Sequence, residues 1–238
     1  MKNKFDNNQK EIRRKLLTII NYVHTSHIGS CLSVIDLIDA IFFVKEKNER
    51  FILSNGHAAA AYYVILEKYG YLKNANLTDL CVHPDRSAEK GIDVSTGSLG
   101  QGFPIALGMA MANKNKNVYC IISDGECAEG SIWESLRIVH DLKITNLKII
   151  ASVNGWGAYD PVSSKNLENR FKGFGFKIVK VNGHNTQEIV NKIKTETTKP
   201  TIFFAKTSSE QFKFLKGLDA HYCTMKDSDY ELAMEELK

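Results

Sequence analysis

The 238-residue sequence has no run of 18 apolar residues, and its polar start carries no hydrophobic segment. A transmembrane helix and a secretory signal each need such a run, so we expect no membrane span and a cytoplasmic protein. The sequence also lacks a basic block, and 31 basic against 27 acidic residues give a net charge of only +4. This balance argues against nucleic acid as a partner. No C-x-x-C pair occurs among the five cysteines, so neither a zinc site nor a disulfide framework is expected.

Short apolar runs alternate with segments of helical periodicity. The runs predict strands at 51–53, 118–122, 147–153, 176–181 and 201–205. The periodic segments predict helices at 9–24, 33–44, 57–69, 98–113, 129–142, 164–172 and 186–195. Ser33 and Asp36 match a capping box, which places the start of the second helix at Ser33. This alternation predicts an α/β fold with a doubly wound, mainly parallel sheet flanked by helices, in a single domain over 1–238.

Polar turns follow two of the predicted strands. Asp124 comes after strand 118–122, and Asn154 comes directly after strand 147–153. Ligands of open parallel sheets bind at the carboxyl ends of strands, so the two residues meet if these strands are neighbours. A carboxylate and an amide oxygen suit Mg²⁺ or Ca²⁺. Two protein ligands do not fill the coordination shell of Mg²⁺, which typically takes its remaining ligands from substrate phosphates and water. The pattern thus indicates a diphosphate ligand, although Asp-Gly and Asn-Gly are also ordinary turn dipeptides.

A glycine-rich segment and three histidines are further candidates. Residues 95–102 contain three glycines within six positions and open a helix, which suits close approach of backbone to a ligand. A flexible loop packed on a small-residue helix would have the same composition. His27, His57 and His83 lie in predicted loops or at helix starts, where binding residues concentrate. An imidazole can donate to a substrate hydroxyl or move its proton, but no single loop histidine identifies a site.

Five segments in order resemble the amino-terminal, diphosphate-binding half of transketolase. They are Ser26–Gly29, Phe51–Ala58, His83–Pro84, Ser95–Gly102, and Asp124–Glu126 with Glu129–Gly130. Asn154 follows Asp124 by 30 residues, the spacing typical of the thiamine-diphosphate motif. The resemblance runs from Ser26 to Tyr159 and more thinly to His221. It implies the thiamine-diphosphate-binding fold.

The resemblance implies a role for each residue that matches the cofactor motif. Asp124, Asn154 and the backbone carbonyl of Trp156 would hold the Mg²⁺ that bridges the diphosphate, and Ca²⁺ could replace it. Gly125 and Glu126 would contact the cofactor at the same turn.

The glycine-rich segment matches the family's contacts to the aminopyrimidine ring. Gly97, Ser98 and Leu99 would bind this ring, and the Leu99 carbonyl would accept a hydrogen bond from its amino group.

The same resemblance assigns the catalytic candidates. His27, His57 and His83 would surround the reacting carbonyl and the thiazolium ring, with His57 also touching the cofactor. Glu129 and Glu134 match acidic positions at a dimer contact that couples two cofactor sites, although Glu134 fits a solvated helix face almost as well. His221 matches a late histidine near the substrate in a loosely aligned region.

Transketolases move a two-carbon ketol unit from a ketose to an aldose, with thiamine diphosphate as the electron sink. Family members activate the cofactor with a glutamate of a separate pyrimidine-binding domain, for which this sequence offers no candidate. The resemblance therefore implies the small subunit of a two-chain transketolase. A separate C-terminal subunit carrying the pyrimidine-binding domain would complete an α2β2 heterotetramer that acts on sugars or sugar phosphates.

The sequence departs from the family pattern at two turns. Ser123 replaces the usual first glycine, and residues 157–160 replace the usual continuation after the asparagine. These departures leave the donor sugar, the acceptor and the pathway open. Two other interpretations also remain: a component of a 2-oxoacid decarboxylase or dehydrogenase, and a non-catalytic scaffold subunit that kept the fold.

Overall fold

The computed structural model describes residues 5–238 of the chain. The described part contains nine α-helices: α1 Asn7–Val23, α2 Ile28–Val44, α3 Ala59–Lys68, α4 Gly102–Ala112, α5 Gly130–Asp141, α6 Ser164–Gly173, α7 Thr186–Ile193, α8 Asp219–Tyr222 and α9 Asp227–Glu236. Its five strands are β1 Arg50–Leu53, β2 Val118–Ser123, β3 Leu147–Val153, β4 Lys177–Asn182 and β5 Thr201–Lys206. All five predicted strands are present, and no strand end differs from its predicted position by more than one residue.

The five strands form one fully parallel sheet in the order β1-β2-β3-β5-β4. Each connection is long enough to carry a helix back across the sheet, as parallel strands require. The predicted α/β fold with a parallel sheet flanked by helices is therefore confirmed. In the β2–β3 pair, Ser123 lies opposite Ser152, so the carboxyl ends of these strands finish side by side.

Helices cover both faces of the sheet, which explains the continuous apolar runs of the strands. Alternate residues of each central strand enter different cores: Ile121 and Ile150 join one, whereas Cys120 and Ile149 join the other. The first core packs against α1, α2, α3 and α7, and the second packs against α4, α5 and α6. Among the described residues, no helix combines the length and apolar character needed to cross a bilayer.

The predicted start of the second helix at Ser33 is wrong, because α2 begins at Ile28. His27 occupies the N-cap position in a left-handed conformation with φ of 70°. Ser33 lies inside the helix and donates its hydroxyl hydrogen to the Gly29 carbonyl, 2.9 Å away. Its presumed capping partner, Asp36, is instead buried and paired with another helix.

That pair links α1 to α2 in the interior. Both nitrogens at the tip of Arg13 donate to the Asp36 carboxylate, at 3.0 and 2.6 Å, and both side chains are fully buried. His184, which precedes α7, lies 2.8 Å from the same carboxylate through its Nδ1. Burial alone would raise the pKa of Asp36, but the hydrogen bonds from His184 and Arg13 hold it below its usual value.

Two further differences bear on the site. The helix predicted from residue 98 begins at Gly102, so residues 95–101 form a loop; Pro104 lies in its first turn, as expected. The sequence interpretation placed no element after residue 205, whereas the structure has α8 and α9 there. The short helix α8 carries His221 back to the sheet edge.

Candidate active site

The parallel register of β2 and β3 brings the two polar turns together. Asp124 directly follows β2, and its carboxylate accepts a 2.7 Å hydrogen bond from the N–H of Gly155, in the turn after β3. The N–H of Gly125 donates to the same carboxylate at 3.1 Å. The two turns are therefore joined through one side chain at the carboxyl edge of the sheet.

Asn154 has both ends of its amide engaged. Its Oδ1 accepts a 2.9 Å hydrogen bond from the N–H of Trp156, and its Nδ2 donates to the hydroxyl of Ser33 at 3.1 Å. Close packing at Gly125 holds the turns together, since an added Cβ there would lie 3.0 Å from the Gly157 Cα and 3.5 Å from the Trp156 carbonyl oxygen. The predicted oxygen donors thus lie around one corner of the sheet.

The Asp124 carboxyl is 2% exposed, and burial raises its pKa to about 7 against the opposing effect of backbone N–H bonds. No cationic side chain of the described residues forms an ion pair with it. A bound cation would offset this desolvation of the carboxylate. No group of three or more His, Cys, Asp or Glu in residues 5–238 could hold a metal ion. A carboxylate, an amide oxygen and a carbonyl form an all-oxygen donor set, which suits Mg²⁺ or Ca²⁺.

A histidine cluster lies beside this corner, because His57 and His221 line the same narrow cleft as Asp124 and Asn154. The ring centroid of His27 is 5.2 Å from that of His57, 6.3 Å from His83 and 5.1 Å from His221. The rings of His57 and His221 are 5.3 Å apart, and Ser30 lies 3.3 Å from His221 Nδ1. The structure therefore brings together all three predicted histidines and places with them His221, the late histidine of the loosely aligned region.

Two rings of the cluster, those of His57 and His27, are held in the uncharged form. Burial, followed by the neighbouring histidines, lowers the pKa of His57 to about 3 and that of His27 to about 4. A neutral imidazole has one donor and one acceptor nitrogen, so each of these rings can both donate and accept a hydrogen bond near pH 7.

The loop over residues 95–101 is clamped between the histidines and the Asp124 turn. Gly97 has φ of 140°, and an added Cβ would lie 2.6 Å from the ring of His83. The N–H of Gly100 donates to Glu126 Oε1 at 2.8 Å, and the hydroxyl of Ser54 donates to the same oxygen at 2.6 Å. Glu126, predicted to contact a cofactor, thus uses one oxygen to fix this loop.

Unsatisfied polar atoms mark the same place. Five buried side-chain atoms of the described residues lack a hydrogen-bond partner, and three are His27 Nδ1, Asn55 Oδ1 and Glu126 Oε2. Asn55 and Glu126 line one narrow cleft together with Asp124, Asn154 and Leu99. Buried polar groups are normally paired, so the unpaired atoms of Asn55 and Glu126 indicate a polar ligand in the cleft. The chain's residues therefore fit a ligand with both polar groups and a metal-bound anion.

The sequence profile described as "Transketolase, thiamine diphosphate binding domain" matches residues 7–237. The chain belongs to the transketolase family. Its thiamine diphosphate binding domain spans nearly all of the described residues.

Curated transketolases and transketolase subunits are similar to this chain over different lengths. The transketolase of Pongo abelii is 34% identical over 209 residues, which cover 77% of this chain but only 33% of the relative. The 6-deoxy-6-sulfo-D-fructose transketolase subunit SqwG of a Clostridium species is 30% identical, covering 95% of this chain and 94% of the relative. The chain therefore spans about a third of the full transketolases and nearly all of the named subunit.

Solved transketolases have the same fold. The enzyme of Campylobacter jejuni superposes with a TM-score of 0.78 at 25% identity, covering 97% of this chain and 42% of the enzyme. A transketolase variant of Pichia stipitis gives a TM-score of 0.83 at 21% identity, with 97% and 40% covered.

Three predicted residues of the transketolase motif lie at the edge of the site. Ser98 and Glu129 are exposed and line a second, wider cleft that shares Asp124 and Gly125 with the narrow one. Glu134 is exposed on α5, with no hydrogen bond to the histidine cluster. The structure thus places Ser98 and Glu129 at the exposed rim of the site and Glu134 outside both clefts.

Sequence reasoning missed three residues that shape this transketolase site. Asn55 lies inside the recognised Phe51–Ala58 segment, and its burial at 1% exposure gave no sequence signal. Ser54 donates to Glu126 from the end of β1. Ser33 was interpreted as a helix cap, and its contact with Asn154 depends on the tertiary fold.

Proposed function

We propose that this chain is the diphosphate-binding subunit of a two-chain transketolase. The complex would move a two-carbon ketol unit from a ketose to an aldose with thiamine diphosphate and a divalent metal ion. The observation that carries the proposal is the position of the histidine cluster beside the corner formed by Asp124 and Asn154, where His57 and His221 line the same cleft. A family member that lacked the reaction would not need both groups at one sheet edge.

The metal would be Mg²⁺, with Ca²⁺ able to replace it. Asp124 would supply a carboxylate oxygen, Asn154 its Oδ1 and Trp156 its backbone carbonyl. Three protein donors leave room in an octahedral shell for diphosphate oxygens and water. Gly125 would bring its backbone to the diphosphate. A side chain at this position would also crowd the neighbouring turn, where an added Cβ would lie 3.0 Å from the Gly157 Cα.

Thiamine diphosphate supplies the electron sink that allows the carbon–carbon bond beside a ketose carbonyl to break. The chain's own residues would orient the substrate and manage protons around it. His57 and His27, neutral at pH 7, would hold or accept the protons of sugar hydroxyls. His83 and His221 extend the same surface, and the 95–101 loop would place Gly97, Ser98 and Leu99 along the aminopyrimidine ring.

A second polypeptide would complete the site. Two relatives that match this chain over almost their whole length are named as transketolase subunits. In the family resemblance, the glutamate that activates the cofactor belongs to a pyrimidine-binding domain, which would reside on the C-terminal subunit. We propose an α2β2 assembly in the cytoplasm, with Glu129 and Glu134 at a subunit contact.

The substrates would be sugars or sugar phosphates. The named subunits act, by their names, on apulose 4-phosphate and on 6-deoxy-6-sulfo-D-fructose. The four-histidine surface favours substrates with several hydroxyl groups over 2-oxoacids, because each imidazole can bond one hydroxyl.

A substrate panel tests this proposal. The chain is purified with its pyrimidine-domain subunit, loaded with thiamine diphosphate and Mg²⁺, and supplied with ketose phosphates, unphosphorylated ketoses or 2-oxoacids. Ketol transfer from at least one ketose is the expected result. Turnover of 2-oxoacids alone would favour a decarboxylase or dehydrogenase component. Binding of the partner subunit without thiamine diphosphate, and with no turnover of any substrate, would favour a scaffold.

A further inference from the structure

Ser33 lies inside α2 and is only 1% exposed. Its hydroxyl hydrogen is committed to the Gly29 carbonyl, at an oxygen–oxygen distance of 2.9 Å. The Ser33 oxygen can therefore only accept any further hydrogen bond. A hydroxyl fixed in this way discriminates between a donor and an acceptor placed opposite it.

The group opposite Ser33 is the amide of Asn154. An asparagine amide has an oxygen end and a nitrogen end of nearly the same shape, so its orientation depends on its hydrogen-bond partners. The Ser33 oxygen accepts from Asn154 Nδ2 at 3.1 Å. The N–H of Trp156 donates to Asn154 Oδ1 at 2.9 Å. Both contacts select the same orientation, with the oxygen toward the turn that holds Trp156.

We propose that Ser33 is a positioning residue that presents the oxygen end of Asn154 to the metal ion. This inference rests on the proposed function, in which Asn154 Oδ1 is a metal ligand. Ser33 lines the same narrow cleft as Asp124 and Asn154, and its assigned role is to act on the ion through Asn154 rather than as a ligand. Partners that orient a metal ligand in this way typically contribute 10–100-fold to metal affinity.

Ser135 offers a matched control for the loss of a buried helix hydroxyl. It lies inside α5, is 4% exposed, and donates its hydroxyl hydrogen to the carbonyl four residues earlier at 2.7 Å. Ser33 makes the same kind of bond to Gly29. Ser135→Ala and Ser33→Ala therefore remove the same local interaction, but only Ser33→Ala removes a partner of Asn154.

The test measures Mn²⁺ binding by electron paramagnetic resonance, with Mn²⁺ replacing Mg²⁺, in the complex of the full chain, its partner subunit and thiamine diphosphate. Ser33→Ala is expected to weaken Mn²⁺ binding by about 10–100-fold. Ser135→Ala is expected to leave it unchanged. Thermal unfolding of each variant records any loss of stability separately from metal affinity.

Asn154→Asp provides the decisive second background, because both ends of an aspartate are oxygens and need no selection. In the Asn154→Asp background, Ser33→Ala is expected to lower Mn²⁺ affinity only slightly. The effects of Ser33→Ala and Asn154→Asp on Mn²⁺ affinity are then non-additive. An equal loss in both backgrounds would indicate general damage and overturn the proposal, as would unchanged affinity in the native background. Absence of Mn²⁺ binding by the native complex would instead overturn the proposed metal site, and the orienting role with it.

Discussion

The N–H of Gly155 donates a 2.7 Å hydrogen bond to the carboxylate of Asp124, across the boundary between two neighbouring strands. This bond places the turn after β3 against the turn after β2, although the residues are 31 positions apart. The carboxylate at this junction is buried without a cationic partner among residues 5–238. The junction is therefore both a structural link and a site with the charge to bind a metal ion.

Asp124→Asn keeps an acceptor for the Gly155 N–H but removes the negative charge. We expect Mg²⁺-dependent binding of thiamine diphosphate to weaken by more than the 10–100-fold that outer partners of a metal site contribute. Isothermal titration of the cofactor into the two-subunit complex, with and without Mg²⁺, measures this effect. Unchanged cofactor affinity in the variant would contradict the assignment of Asp124 as a metal ligand.

Gly97→Ala should disturb the histidine cluster. Gly97 has φ of 140°, and a methyl group there would lie 2.6 Å from His83 Cδ2, so His83 or the loop must move. Displacement of a reacting group by about 1 Å can reduce a rate by about 100-fold. We expect the ketol-transfer rate to fall by up to this factor.

Gly108→Ala is the control for the Gly97 substitution. Gly108 lies within α4, and an added Cβ meets no atom within 4 Å. We expect an unchanged transfer rate and a gain in stability of roughly 0.5–1 kcal/mol from the better helix former. Equal rates for both variants would show that the close approach of Gly97 to His83 is unimportant.

Acid should destabilise the chain through its buried histidines. The pKa of His57 is about 3 in the folded chain, against 6.5 for an ordinary histidine. Between these values the unfolded state binds more protons, so the free energy of unfolding falls as the pH falls through this window. For one histidine the slope cannot exceed about 1.4 kcal/mol per pH unit.

His57→Gln tests this source of acid sensitivity. Urea unfolding at several pH values between 4 and 7 should give a flatter dependence of the unfolding free energy on pH in the variant. Parallel curves for the variant and the native chain would mean that His57 does not contribute. The same variant, in the two-subunit complex, should lose ketol transfer by about 10²–10⁴-fold, the usual contribution of an acid–base group; an unchanged rate would favour the scaffold interpretation.

The buried Arg13–Asp36 pair should control stability strongly. Arg13→Met leaves the Asp36 carboxylate in the interior without its guanidinium, and breaking a buried pair in this way typically costs about 3–5 kcal/mol. Arg137 and Asp141 form an exposed pair on α5 at 3.0 Å, so Arg137→Ala should cost about 1 kcal/mol or less. Urea denaturation of the two variants measures the difference. Similar losses would contradict the importance of burial at Asp36.

Local sequence patterns predicted the parts of the site that depend on neighbouring strands. Buried runs predicted β2 and β3, and the rule for parallel sheets then predicted that Asp124 and Asn154 would meet if these strands were neighbours. The structure pairs β2 with β3. Patterns failed where a residue has a distant partner. The capping-box interpretation of Asp36 was wrong, because this carboxylate pairs with Arg13, 23 residues away, and with His184, 148 residues away.

The end of the chain was predicted least well, for a related reason. His221 lies on a four-residue helix, too short to leave a periodic signal in the sequence. Its position beside His27 depends on tertiary packing: a Cβ on Gly29 would lie 2.6 Å from the Ala220 carbonyl, so only glycine permits this approach of α8 to α2. Such close contacts are visible only once the whole fold is known.

The central claim is that this chain provides one half of a thiamine-diphosphate site that a second subunit completes. The most direct test measures ketol transfer by the purified chain, by the purified pyrimidine-domain subunit, and by their mixture, each with thiamine diphosphate and Mg²⁺. We predict transfer by the mixture and none by either chain alone. Transfer by the 238-residue chain alone, or a mixture that binds no thiamine diphosphate, would contradict the claim.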